Sequence, residues 1–357
     1  MVERYKLGGG SPEPPPEAPS KKRNDYFPGA GRKLKFISTG CTTLDCVVSG
    51  GWPLGRIVNI VGDKSTGKTL LAIEAAANFA RQFPKGKIWY RESEAAFDED
   101  YATQLGLPVK QVDFGDDGLG TIWDTIEDIF EDLDKQLTRL KKLNVPGLYI
   151  IDSLDALSAR AELERKVDEG SYALDKQKIL GQLFRRLSRR IKETNTCLII
   201  VSQVRQKIGM VFGSPFTRSG GKSLDFYASQ AVWLSHLKNL TRTINGIKRV
   251  VGVRIRAKCE KNKIGPPFRT CDFTIRFGYG VDDLEASLSW LEEARMLKRA
   301  QFNGRVITVD NKLDVMQDIE ALPPVEYAAI LAEIRNITAE VWYEVEAGFL
   351  PERNKYT

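Results

Sequence analysis

Gly62-Asp63-Lys64-Ser65-Thr66-Gly67-Lys68-Thr69 fits G-x-x-x-x-G-K-[ST], the pattern of a phosphate-binding loop. The apolar run Ile57-Val58-Asn59-Ile60-Val61 precedes it, and the helix-forming stretch Leu70–Ala77 follows it. That is the strand–loop–helix context the motif requires. Gly62 and Gly67 let backbone N–H groups close on phosphate oxygens, and the start of the following helix faces the negative charge. Lys68 is expected to neutralise the β- and γ-phosphates, and the Thr69 hydroxyl to ligate Mg²⁺. A nucleoside triphosphate with Mg²⁺ is the ligand this loop implies.

Outward from the loop, apolar β-rich runs alternate with helical patterns from about residue 36 to 280. The spacing predicts strands at 57–61, 87–91, 148–152, 197–201, 230–234, 249–257 and 271–277. Near-continuous apolar strands separated by helices predict an α/β fold with a mostly parallel sheet covered on both faces. The last two runs have no long helix between them, so that edge is expected to be antiparallel. Leu180, Leu183, Phe184, Leu187 and Ile191 recur at helical spacing and predict a helix over 174–193.

Two further segments, 284–298 and 324–346, read as helices flanking the β-like Arg305–Val309. They predict a small α/β C-terminal domain over 281–357, after a core over 34–280. Residues 1–33 are rich in Pro and Gly and read as a disordered arm.

Composition narrows the class. The chain has 357 residues, 42% hydrophobic and 28% charged, with a net charge of +6. That is an ordinary globular profile with a surplus of cations available to a polyanion. No apolar run reaches the roughly 18 residues a membrane span needs. The five cysteines lack C-x-x-C spacing, as expected of reduced thiols in a cytoplasmic setting. A single histidine excludes a His-rich metal site.

A phosphate-loop ATPase needs two more acids. Leu148-Tyr149-Ile150-Ile151-Asp152-Ser153 is an apolar strand ending in a carboxylate, the place for an aspartate holding the Mg²⁺ water shell. Lys87-Ile88-Trp89-Tyr90-Arg91-Glu92-Ser93-Glu94 is a strand running into acids at its carboxyl end, where ligands of open α/β sheets bind. On this pattern Glu92 and Glu94 both qualify to orient the attacking water.

Several segments together resemble the bacterial and phage RecA recombinase family. They are Ile37-Ser38-Thr39-Gly40 with Leu44-Asp45 and Gly50–Ile57; Glu94-Ala95-Ala96-Phe97-Asp98 with Tyr101-Ala102; Gln203–Pro215 continuing to Gly220-Gly221-Lys222 and Phe226–Ser229; and Lys261–Phe268. The resemblance implies a RecA-type ATPase core. It places Glu94 at the catalytic glutamate and Asp98 and Tyr101 against the adenine. It makes Gln203 the sensor of the γ-phosphate. Residues 203–222 become the second DNA loop, with Arg205, Lys207, Ile208, Gly209, Met210, Phe212, Gly220, Gly221 and Lys222 meeting DNA. Cations neutralising phosphates, apolar wedges and glycines permitting close approach suit single-stranded DNA. Lys178 and Arg185, on the helix after the first DNA loop, are implied phosphate contacts. Lys261 and Lys263 resemble paired lysines that reach the γ-phosphate of a neighbouring subunit's ATP.

The implied activity is a single-stranded-DNA-dependent ATPase. With ATP and Mg²⁺ it forms a helical filament on single-stranded DNA and exchanges strands with a duplex, in recombination, DNA repair and the SOS response. The family's N-terminal docking helix has no counterpart before residue 33; Tyr26-Phe27-Pro28 and Leu34-Lys35-Phe36 are left as a reduced docking strand. The alternative reading is therefore a related ATPase acting as a non-filamentous regulator or motor.

Overall fold

The computed structural model describes residues 34–94, 97–115, 123–163, 173–206, 216–218, 221–351 and 353, with backbone alone at 173–175, 205–206, 216–218 and 221–222. The chain enters through β1 (Phe36–Ile37), α1 (Thr42–Val47) and β2 (Trp52–Pro53), and β1 pairs antiparallel with β2. Phe36 of this entry segment pairs with Pro53 of the same chain. Then come β3 (Ile57–Gly62), α2 (Lys68–Gln82), β4 (Lys87–Glu92), α3 (Glu99–Gln104), β5 (Val112–Asp113), α4 (Ile126–Leu143) and β6 (Gly147–Asp152). Next follow α5 (Arg160–Leu163), α6 (Ala173–Glu193), β7 (Thr196–Gln206), β8 (Phe216–Arg218) and α7 (Gly221–Tyr227).

The sheet closes with β9 (Gln230–Ile244), β10 (Ile247–Asn262), β11 (Thr270–Arg276) and β12 (Gly280–Asp282). The strand order is β12-β11-β10-β9-β3-β7-β6-β4-β5. From β9 to β5 every pairing is parallel, while β9 through β12 are antiparallel, as the missing crossover helix requires.

Burial explains why these strands form. Every residue of β3 and β6 is buried, so both read as continuous apolar runs rather than alternating ones. One face packs on α1 and α2 through Leu44, Leu71, Ala75 and Phe79. The other packs on α4 and α6 through Phe130, Leu133, Leu180, Phe184 and Leu187. Thr125 caps α4 by accepting from Asp128 N, and Asn144 ends it in the left-handed region at φ 52°.

Strands β9 and β10 run far past their predicted ends. Beyond Leu234 β9 pairs with β10 alone, and from Thr241 to Val251 the two strands stand clear of the sheet as a ribbon, exposed on both faces, that turns at Asn245 (φ 51°) and Gly246 (φ 76°). After β12 come α8 (Asp283–Glu293), β13 (Gln301–Phe302), β14 (Arg305–Val306), α9 (Lys312–Glu320) and α10 (Pro324–Gly348). The predicted helix 284–298 therefore stops early, and only two residues of 305–309 form a strand. These elements enclose a separate apolar cluster with Leu288, Leu291, Ile319 and Ile334. Trp342 of α10 also reaches the main core, its ring 5.1 Å from Trp290.

Candidate functional site

The loop 62–69 leaves the carboxyl end of β3 and enters α2 at Lys68. Gly67 holds φ 84° at the start of the helix, and a Cβ there would lie 2.3 Å from Ile275 Cδ1. Only glycine fits both constraints. Thr66 Oγ1 donates to Asp63 O at 2.8 Å, and Asp63 Oδ1 accepts from Lys64 N at 2.7 Å. Ser65 adopts φ 58°, completing the turn. Lys68 Nζ donates to Asp63 O at 2.7 Å. Burial draws its pKa down, opposed by the charges of Asp152, Glu94, Asp63 and Asp155. A cation so placed is short of solvent and surrounded by oxygens, ready for phosphate.

Asp152 closes β6 beside Glu92 of β4. It is buried, and burial raises its pKa, while hydrogen bonds from Tyr90 and Thr69 lower it. Tyr90 Oη donates to Asp152 Oδ2 at 2.7 Å. Hydroxyl and carboxylate oxygens side by side at Thr69 and Asp152 are the hard donor set that suits Mg²⁺.

Two residues past β4, Glu94 Oε1 accepts from Gln203 Nε2 at 3.0 Å and also from Ser153 Oγ. Glu92 Oε1 instead accepts from Glu94 N at 2.8 Å, which turns Glu92 into a brace for the backbone. Gln203 is anchored in turn, its N–H donating to Asp155 Oδ2 at 2.6 Å. Lys68 and Thr69 of α2, Asp152 of β6, Gln203 of β7 and Glu94 just past β4 thus meet at one end of the sheet.

Other expected site residues stand apart from this cluster. Asp98 caps α3 by accepting from Tyr101 N at 2.9 Å, and the half-buried Tyr101 lies near Glu74, a turn and a half along α2 from Lys68. Lys261 pairs with Ala231 in β9, and Ala231 pairs with Asn59 in β3. Both lysines therefore lie toward the amino end of β3, roughly 10 Å or more from its loop at about 3.3 Å per residue. There Lys261 Nζ donates to Asp225 O and Phe226 O, and Lys263 Nζ to Phe226 O at 2.8 Å. Their ammonium groups rest on the carbonyl end of α7.

On α6, Arg186 and Arg190 pair with Asp134 and Arg189 with Glu193, while Lys178 and Arg185 are exposed with no ion pair among the described residues. Lys176 Nζ donates to Leu154 O at 2.8 Å, a structural tie. The overhang of β7 pairs with β8, Arg205 opposite Thr217, and so brings together the two ends of segment 207–215. Lys207, Ile208, Gly209, Met210, Phe212 and Gly220 lie outside the described residues, as do the side chains of Arg205 and Lys222. Gly221 opens α7.

Sequence reading missed Tyr90, Ser93, Ser153 and Asp155. Ser93 Oγ donates to Ser153 O at 2.7 Å and accepts from Ser153 N at 2.9 Å, tying the ends of β4 and β6 together. The available signal was periodicity: Tyr90 lies two residues before Glu92, on the same face of its strand.

A mostly parallel sheet with a phosphate loop at its centre and an antiparallel edge defines an α/β phosphate-loop core of RecA type. The profile of the RecA N-terminal domain matches residues 29–282. Protein RecA of Trichormus variabilis is 33% identical over 292 residues, spanning 80% of this chain and 77% of the relative. Protein RecA of Crocosphaera subtropica is 34% identical over 295 residues, 81% of this chain and 80% of the relative. Protein RecA of Thermosynechococcus vestitus is 33% identical over 292 residues, 80% of this chain and 78% of the relative. The chain belongs to the RecA family. Among the described residues no helix is long and apolar enough to cross a membrane.

Proposed function

We propose that this chain is a DNA-dependent ATPase of homologous recombination. It assembles as a helical filament on single-stranded DNA with ATP and Mg²⁺ and pairs that strand with a homologous duplex. The observation that carries the reading is the bond from Gln203 to Glu94, at the point where β7 leaves the sheet toward segment 207–215. One side chain thereby touches the water-orienting acid and begins the segment assigned to DNA.

In this mechanism Lys68 and the backbone of 62–69 hold the phosphates. Thr69 and Asp152 would hold Mg²⁺, which when bound would offset charge on the phosphate oxygens. Glu94 aligns the attacking water. Gln203 leaves Glu94 for the γ-phosphate and carries that change into the DNA loop. Lys261 and Lys263, at the far end of the sheet, complete the site of the next subunit. Arg205, Lys207, Lys222, Lys178 and Arg185 hold the DNA backbone, and Asp98 and Tyr101 take the adenine. The core over 34–280 carries this chemistry, with 281–357 as an accessory domain.

The test is electron microscopy with single-stranded DNA and a non-hydrolysable ATP analogue, beside an ATPase assay with and without DNA. Filaments and a DNA-stimulated rate are expected. Rings or dimers with an ATPase indifferent to DNA would favour a non-filamentous regulator or motor.

A further inference from the structure

We propose that Tyr90 is a positioning residue for Asp152, its hydroxyl fixing the carboxylate that holds Mg²⁺. The inference rests on the ATP·Mg²⁺ reading of the site. Tyr90 and Asp152 come from neighbouring parallel strands, with Tyr90 in register with Ile150. The Tyr90 ring lies on the same face as Asp152 and reaches two residues along β6 to place its hydroxyl 2.7 Å from Oδ2.

The surroundings leave that hydroxyl little else to do. Tyr90 is fully buried, with the Phe97 ring 4.9 Å away and the Phe114 ring 6.0 Å away. A phenol in such an apolar cage needs a hydrogen-bond acceptor, and Asp152 supplies it. Among the described residues the other side chain bonded to Asp152 is Thr69, itself assigned to the metal. Tyr90 is therefore the partner that Asp152 keeps with or without nucleotide. The Ser93 bonds to both main-chain polar atoms of Ser153 hold the next residue from the same strand. Outer partners of this kind set the orientation of a metal-holding carboxylate, and their loss costs roughly 10- to 100-fold in metal affinity.

The test uses the full-length chain with Tyr90→Phe, a fluorescent ATP analogue and a Mg²⁺ titration read as nucleotide binding. The Mg²⁺ concentration at half-saturation should rise about tenfold or more. Binding of the analogue in EDTA should not change. In the Asp152→Asn background, Tyr90→Phe should add nothing further to the Mg²⁺ dependence. Superimposable titrations for Tyr90→Phe and parent, or full additivity with Asp152→Asn, would overturn the proposal. So would loss of the fold in Tyr90→Phe, because the hydroxyl would then serve the core. If Asp152→Asn alone leaves the Mg²⁺ dependence intact, it is the assignment of the metal site that fails.

Discussion

Gln203 and Glu94, 109 residues apart in sequence, are joined by a 3.0 Å hydrogen bond from Nε2 to Oε1. Glu94→Gln should keep ATP binding and slow hydrolysis by about 10²- to 10⁴-fold, since the group orienting water is lost. Lys68→Ala should weaken ATP binding and abolish turnover. A Glu92→Gln chain that loses hydrolysis while Glu94→Gln retains it would move the catalytic role by two residues.

Gln203→Ala should leave ATP binding nearly intact and remove the gain in DNA affinity that ATP brings. By linkage, the gain in ATP affinity brought by DNA must vanish by the same factor. Two titrations on one variant check this, and a surviving reciprocal effect would show that the switch runs through another residue.

Removing the charge of Arg205 or Lys207 should weaken single-strand binding and reduce its dependence on log salt by about one unit per lost phosphate contact. ATP hydrolysis without DNA should be unaffected. An unchanged salt slope in both variants would place these cations away from the phosphates.

A chain carrying Lys261→Ala and Lys263→Ala should be inactive alone, because β9 and β10 put both lysines at the end of β3 remote from its own loop. Mixed with Glu94→Gln chains it should regain part of the activity, at interfaces that join an intact Glu94 to an intact lysine pair. Hydrolysis per molecule that is independent of dilution down to the monomer would rule out a shared site.

Glu74 of α2 makes stability depend on pH. Burial pushes its carboxyl up to about 7 from 4.5; Asp283 adds to the rise, and Val281 N–H, Arg81 and Arg335 oppose it. Between those two values the folded chain keeps a proton that the unfolded chain has released, so stability falls as pH rises. Glu74→Gln carries no charge to bury, so its melting temperature should gain on the parent as pH goes from 5 to 8. Parallel melting curves across that range would show that Glu74 titrates normally.

Much of this was legible in the sequence because the sheet is buried. Strands such as β3 and β6 have no solvent-facing side, so their apolar runs marked them plainly. The loop at 62–69 was legible because its geometry demands particular residues. The ribbon from β9 and β10 was not, because from Thr241 to Val251 neither face is buried and no alternation marks it. Helix α9 escaped for a similar reason: Val315, Met316 and Ile319 bury a narrow stripe among polar neighbours. Tyr90 looked like one more apolar residue of a buried strand, and the direction of its hydroxyl is set by the tertiary fold, which brings Asp152 beside it.

The ribbon also bears on how the protein behaves at high concentration. From Ser235 to Ile244 and from Ile247 to Val251 the two strands pair with each other, and no third strand among the described residues pairs with either. Ile244, Ile247 and Val250 are more than 40% exposed along these edges. Open, apolar strand edges are templates for sheet-to-sheet aggregation. This stretch carries Lys238, Arg242, Lys248 and Arg249 and not one acid. Two ribbons approaching edge to edge bring only like charges together, and that repulsion weakens as salt screens it. The fold thus protects a bare pair of edges with charge rather than with a covering element, and its colloidal stability is set by ionic strength.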